Sequence, residues 1–329
     1  SMPLGTDIQD LYENPAEAEQ YELSNTAMAK LLTITDPDTH VAYYRRNRKD
    51  LYTKTISREN LQGAFVSWEK FENYISAITT SLYSGNYIDE FELTKALVDG
   101  AYDNNKVIVE TVSAVTDETT AKAFIKKCRS LFNKMKLPST QYNAYSKFSG
   151  AKGTIKTWTE EDRFVLIVTS DVMAEVDVDV LARAFNIENT KFLGRVIEVD
   201  SFENEEIQAI LCDESWFQIY ENLMRFDEFY NARTMTWNEY LHVWQTYAIC
   251  PFANAVVFAT AQPKPATAIS VANVNVAKDA TANVTVTLTP SDATTELEYI
   301  SGNETVFTVS STGVVTGVSA GTGTLTVKT

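Results

Sequence analysis

The stretch Leu61-Gln62-Gly63-Ala64-Phe65-Val66-Ser67-Trp68-Glu69-Lys70-Phe71-Glu72-Asn73-Tyr74-Ile75-Ser76-Ala77-Ile78-Thr79-Thr80-Ser81-Leu82 places apolar side chains at Leu61, Ala64, Phe65, Trp68, Phe71, Ile75, Ile78 and Leu82. Steps of three and four residues line these up along one face of an α-helix. Ser57 ahead of them is a fitting N-cap, and Glu59 sits where a helix start favours negative charge. One long amphipathic helix from Ser57 is therefore expected. Further on, a second helix is expected over Asp89 to Val98. A third is expected from Glu118 to Met135, with Ala121, Phe124, Ile125, Cys128, Leu131 and Phe132 as its apolar stripe and Pro138 as its stop.

Strand candidates surround these helices: Lys106 to Val112, Phe164 to Thr169, Arg195 to Val199, Gln208 to Cys212 and Ala253 to Phe258. The class is α+β. The order is not a regular βαβ alternation, which argues against a doubly wound nucleotide fold.

At 329 residues the chain has room for roughly two folding units. The sharpest boundary is Ala261-Gln262-Pro263-Lys264-Pro265-Ala266, where two prolines stiffen a short polar linker. All five tryptophans precede it, whereas 267–329 is rich in Val, Thr, Ala and Gly. In that tail Val284, Val286 and Leu288 alternate with Thr285, Thr287 and Thr289, the period of a half-buried strand. Turn chemistry at Pro290-Ser291-Asp292 and Ser301-Gly302-Asn303, and short β runs ending at Thr324 to Val327, complete the pattern of a small all-β sandwich.

The net charge of −16 disfavours a surface built to grip nucleic acid. With 44% hydrophobic and 22% charged residues the chain has the make-up of a globular protein. Cys128, Cys212 and Cys250 are odd in number and far apart, matching neither a disulfide framework nor a zinc ribbon. No apolar run approaches the ~18 residues of a membrane span. The start Ser1-Met2-Pro3-Leu4 has no charged leader followed by an apolar stretch, and Ser1 reads as an expression scar, so residues upstream are expected to be missing.

Candidate chemistry is sparse. His40 and His242 are the only histidines, and His242 within Tyr240-Leu241-His242-Val243-Trp244 reads as packed in a sheet rather than as a general base. The cysteines read as small buried hydrophobes. Asp171, Glu175, Asp177 and Asp179 lack the glycine and distal glutamate of a calcium loop, and Gly150-Ala151-Lys152-Gly153-Thr154 lacks the frame of a phosphate loop. No catalytic, cofactor-binding or metal-binding residue is expected. Asn283-Val284-Thr285 and Asn303-Glu304-Thr305 match the glycosylation pattern but have no leader to support them. Arg45, Arg46, Arg48 and Lys49 form the one dense basic cluster, open to water or to the acidic surface of a neighbouring copy. Lys122, Lys126, Lys127 and Arg129 suggest a solvated helix face. From Pro3 to Arg48 no core face is evident before Ala42, the look of an extended arm that lies on another subunit or stays unordered.

Several stretches resemble the major capsid proteins of phi 29-type podophages. They are Arg46-Asn47-Arg48, Ala64-Phe65-Val66-Ser67-Trp68, Glu175-Val176-Asp177-Val178-Asp179-Val180-Leu181-Ala182-Arg183-Ala184-Phe185-Asn186, Phe192-Leu193-Gly194, His242-Val243-Trp244-Gln245-Thr246 and Phe252-Ala253-Asn254-Ala255-Val256. In the tail, Thr312-Gly313-Val314-Val315-Thr316-Gly317-Val318-Ser319-Ala320-Gly321 resembles a bacterial immunoglobulin-like group 2 domain, although the tryptophan of that pattern is lacking.

The resemblance implies a Hong Kong 97-type capsid fold followed by an immunoglobulin-like sandwich. Residues 1–48 would form the extended loop, 49–110 with 233–260 the peripheral domain and its spine helix, 111–232 the axial domain, 261–266 the linker and 267–329 the sandwich. It also implies an N-terminal arm ahead of the extended loop, to which no residue here corresponds. The implied role is structural: copies associating as pentamers and hexamers into a shell, with a scaffolding protein and a portal as partners and packaged DNA touched only weakly. Assembly would take place in the host bacterial cytoplasm, and the tail would face outward, toward decoration or host surface glycans. Arg45, Arg46, Arg48 and Lys49 become candidate subunit contacts. The alternative is a secreted adhesin or hydrolase carrying the same accessory domain, which calls for an export signal or two converging carboxylates.

Overall fold

The computed structural model describes residues 7–18, 34, 36–57, 68–148, 150–176, 195–291, 293, 295 and 297–328. In chain order its elements before the linker are β1 (Ile8–Glu13), β2 (Thr39–Tyr44), β3 (Arg48–Ser57), α1 (Trp68–Asp103), β4 (Ile108–Thr111), α2 (Glu118–Met135), β5 (Phe164–Thr169), α3 (Ser170–Glu175), β6 (Val196–Val199), β7 (Ile207–Asp213), β8 (Phe217–Asn231), β9 (Thr236–Ile249) and β10 (Ala255–Ala259).

Every residue of β7 and β10 is buried, because both faces of their sheet are covered. That sheet has the order β4-β10-β7-β5-β6, with β10 parallel to β4, β5 parallel to β6, and β7 antiparallel to both of its neighbours. On one face Leu166, Val168, Leu211, Val256 and Phe258 meet Phe124, Cys128 and Phe132 of α2. On the other, Ile167, Ile210, Cys212 and Val257 meet Val98, Ala101 and Tyr102 near the end of α1. The alternation of the strands thus splits the core into two layers. α2 occupies the expected residues and opens on a capping box: Asp117 accepts from the Thr120 backbone N–H at 2.8 Å, and the Thr120 hydroxyl accepts from the Asp117 N–H at 3.1 Å. Its lysines and Arg129 face solvent, as expected.

The first expected helix needs correction. Ser57 does not cap a helix; it ends β3, paired with Thr236, because Thr53, Thr55 and Ile56 follow a strand's alternation. Residues 58–67, with Leu61, Ala64 and Phe65, lie outside the described region. From Trp68 onward, the two helices expected over Ser57 to Leu82 and Asp89 to Val98 are one, the 36-residue α1. Gly85-Asn86 does not interrupt it. Asn86 is buried and donates to Glu90 at 2.9 Å one turn on, and the Gly85 backbone lies close beside the ring of Tyr52.

Two long strands are not among the strand candidates, apart from the sheet reading of Tyr240 to Trp244. β8 and β9 pair antiparallel from Phe217 opposite Ile249 to Asn231 opposite Thr236, with a bulge between Glu221 and Leu223. β3 adds to the other edge of β9, from Arg48 opposite Gln245. The resulting sheet, β3-β9-β8, packs on α1 through Leu82, Leu241, Val243, Tyr52, Tyr83 and Met224. Burying each aliphatic side chain there contributes about 1.5–3 kcal/mol. The division at 232/233 between the expected axial and peripheral segments falls in the turn of the β8–β9 hairpin.

The described parts of the amino-terminal segment are ordered: β1 and β2 form an antiparallel hairpin that makes contacts with its own chain. Tyr12 stacks on Phe252 at 5.6 Å, Asn14 bridges the Thr154 carbonyl and the Lys156 N–H, and Asp10 accepts from Tyr44 at 2.9 Å and Cys250 at 3.3 Å. These partners are scattered over some 240 residues of sequence, so no local pattern announces them.

Past the linker come β11 (Ala268–Val271), β12 (Thr281–Asn283), β13 (Val286–Thr289), β14 (Glu298–Ser301), β15 (Phe307–Val309), β16 (Val314–Gly317) and β17 (Leu325–Lys328). They pair antiparallel as β11-β13, β12-β16-β15 and β14-β17. Val286 and Leu288 turn inward and Thr287 and Thr289 outward, as the alternation requires. The core is small, centred on buried Phe307 and Val315. Gly313 has φ of 76°, and a Cβ there would sit 2.8 Å from the Tyr299 ring, so the turn before β16 excludes a side chain.

Candidate assembly surface

The basic cluster divides by strand register. β3 turns Arg48 toward α1, and its side chain is only 5% exposed. Its guanidinium donates to Asp50 at 2.5 Å, to the Gln245 side chain and to the Tyr52 hydroxyl at 2.6 Å, with Glu90 and Asp89 at 3.9 and 4.0 Å. Burial by itself would lower the Arg48 pKa, but Asp50 and the neighbouring hydroxyls hold it above its ordinary value. Gln245 in turn donates to Glu90 at 2.6 Å. Arg48 is therefore an internal pin joining β3, β9 and α1. It is not free to meet a neighbouring copy, which corrects its assignment as a contact.

The other three cations remain on the surface. Arg45 is 82% exposed and pairs with Asp7, whose carboxyl that hydrogen bond holds below the usual range. Arg46 and Lys49 lie over the ring of Trp244 at 4.8 and 5.7 Å and have no carboxylate within 4.0 Å among the described residues. Register carries this chemistry across the outer face of the sheet. Lys49 is opposite Trp244, Leu51 is opposite His242, and Arg225 flanks His242 from β8. Leu51 is 51% exposed. The outer face is aromatic and basic in a chain of charge −16.

Among the described residues nothing comparable supports a reaction centre. A cavity of about 600 Å³ between β2, the end of α1 and residues 145–151 is lined by Tyr43, Ala96, Leu97, Phe148 and Ile249, with Lys106 and no carboxylate. His40 is buried and held at Nδ1 by the Tyr145 hydroxyl at 2.9 Å and at Nε2 by Asp38 at 3.2 Å. His242 stands half-buried on β9, within a sheet as expected. Burial pushes all three thiols up, Cys250 to about 12, which removes them as thiolate nucleophiles. Among the described residues no group of His, Cys, Asp and Glu could hold a metal, and no helix is long and apolar enough to cross a membrane. Asp177 and Asp179 lie outside the described region.

A long helix backing an antiparallel sheet, a second unit built on a helix-covered mixed sheet, and a hairpin at the amino-terminal side make up the body, an architecture of the phage capsid type. Consistent with this, a chain from the capsid structure of Staphylococcus phage Andhra superposes with a TM-score of 0.67 at 13% identity, covering 79% of this chain and 82% of that one. The model of the Phi29-like phage major capsid protein matches residues 1–259, and the chain belongs to that family. Residues 265–328 match the bacterial Ig-like domain (group 2). The major capsid protein of Bacillus phage PZA is 35% identical over 260 residues, 78% of this chain and 56% of its own length. That of Bacillus phage B103 is 31% identical over 336 residues, all of this chain and 73% of its own length. The chain thus spans little more than half of the PZA relative. Membership in a structural family sets aside the hydrolase and adhesin alternative.

Proposed function

We propose that the chain is a tile of a phage head, closed by copies of itself into rings of five and six and then into a shell. The observation that carries this reading is the family match over residues 1–259, which spans the two-sheet body and its hairpin. Moderate interfaces of roughly 1,200–2,000 Å² suffice, because each copy is held by several neighbours at once. Residues 1–48 serve as the extended loop, 49–110 with 233–260 as the peripheral domain and 111–232 as the axial domain. Arg45, Arg46 and Lys49 contribute to subunit contacts. A scaffolding protein directs closure in the host cytoplasm, a portal occupies one vertex, and the acidic wall keeps packaged DNA at weak contact. The Ig-like domain lies outside, where it takes part in decoration or in weak adhesion to host glycans.

Light scattering and electron microscopy of the chain, with and without a scaffolding protein, test this. Capsomers or shells are expected. A chain that stays monomeric in both conditions contradicts the reading.

A further inference from the structure

The loop between β6 and β7, residues 200–206, is clasped to α1 by side chains from three successive helical turns. Lys95 donates to Asp200 at 2.7 Å, Asp99 accepts from the backbone N–H groups of Glu203 and Asn204 at 3.2 and 3.1 Å, and Asp103 accepts from the Asn204 side-chain amide at 2.9 Å. The Tyr102 hydroxyl donates to Glu206 at 2.6 Å and lies 3.0 Å from the Ala261 carbonyl, where the linker begins. The Thr260 N–H donates to the Glu206 carbonyl at 2.9 Å, so the same loop holds the root of the tether that carries the Ig-like domain.

The clasp carries an excess of like charge. Around Asp99 the charged and titratable groups are Glu92, Lys95, Tyr102 and Asp103 from α1 and Asp200, Glu203, Glu205 and Glu206 from the loop, a set with one cation. That cation is taken up by Glu92 at 3.0 Å and Asp200 at 2.7 Å. Asp99 is only 3% exposed and, among the described residues, has no cationic side chain within 4.0 Å. Burial pushes its carboxyl above the usual range, its two backbone donors offset only part of the rise, and Glu203 adds to it.

We propose that this joint is a proton-operated clasp: when Asp99 takes up a proton, the buried charge disappears, loop 200–206 closes more firmly on α1, and the root of the linker at Thr260 and Ala261 stiffens with it. The inference goes beyond the assembly reading and does not rest on it, since every partner lies within one chain. A carboxyl that holds its proton more tightly with the loop shut than with it open shifts the local opening equilibrium toward the shut form as pH falls through the folded value. Well above that value both forms are ionised and the shift is absent. The loop therefore opens more readily at neutral pH than in mild acid.

Amide hydrogen exchange of the full chain, read by mass spectrometry and corrected for the intrinsic pH dependence of exchange, tests the clasp. Between about pH 7 and pH 4.5, protection of segments 200–207 and 259–262 is expected to rise about twofold or more, while that of α2 does not rise. D99N, which places a neutral side chain of the same shape at the joint, is expected to flatten both profiles. The parent's own profile is decisive even where the variant folds poorly. Protection that stays level or falls on acidification overturns the proposal. A rise of the same size in α2 also overturns it, by assigning the effect to the whole molecule. A folded D99N that keeps the rise overturns the assignment to Asp99.

Discussion

The Arg48 guanidinium donates to the Tyr52 hydroxyl at 2.6 Å, and that hydroxyl in turn donates to Asp89 on α1. A strand is thereby pinned to the long helix by a buried cation with its donors engaged. Removing one member of such a network leaves the others uncompensated. R48M is expected to lower unfolding free energy by about 2–3 kcal/mol, the two carboxylates at the edge of the network being half-exposed and keeping the loss below the range of fully buried pairs. Urea denaturation measures it. R46Q and K49Q, in the same basic run, are expected to shift the midpoint negligibly.

Glu239 is buried on β9, where it accepts from Thr79 at 3.3 Å. Burial, with Glu228 across the strand pair, raises its pKa above the ordinary glutamate value. A carboxyl whose folded pKa is raised binds its proton more tightly in the native state than in the unfolded one. The penalty for its charge is therefore present at neutral pH and is relieved as pH falls through the folded value. E239Q is expected to stabilise the chain by a few tenths to about 1 kcal/mol at pH 7 and to lose that advantage near pH 4. Thermal melts of parent and variant across this range give the comparison.

The capping box at Asp117 satisfies backbone donors that α2 otherwise leaves unpaired, and its hydrogen bonds to Thr120 hold the Asp117 carboxyl below the usual range. D117A is expected to lower the midpoint of chemical denaturation, whereas D117N, whose side-chain oxygen still caps the helix, keeps it close to the parent's.

Cys128, Cys212 and Cys250 are all buried and free. Ellman's reagent at pH 8 is expected to leave the native thiols unreacted over minutes and to label all three after unfolding. Rapid labelling of a native thiol would contradict the packing of the two cores.

What could be read in advance followed the range of the forces involved. α2 was legible because its stripe, cap and stop are local, and β5, β7 and β10 because strands covered on both faces read as unbroken apolar runs. α1 was read as two helices because Gly85-Asn86 weakens the pattern, and the bonds that carry the helix through lie among Asn86, Glu90 and Gln245. Of β9 only the stretch around His242 reads as sheet, because its outward row holds Tyr240, His242 and Trp244, which hides the alternation with Leu241 and Val243 and so the strand's full length. Arg46 and Arg48 are the same residue type in the same run. Only the pairing of Arg48 with Gln245 turns one into the interior and leaves the other at the surface.

Cryo-electron microscopy of particles assembled from this chain tests the central claim most directly. The account predicts a continuous wall of five- and sixfold rings, each subunit showing the 36-residue α1 beneath the β3-β9-β8 sheet, with the Ig-like domain projecting outward. Aggregates without five- and sixfold rings, or no particles at all under conditions that assemble a related capsid protein, would contradict the claim.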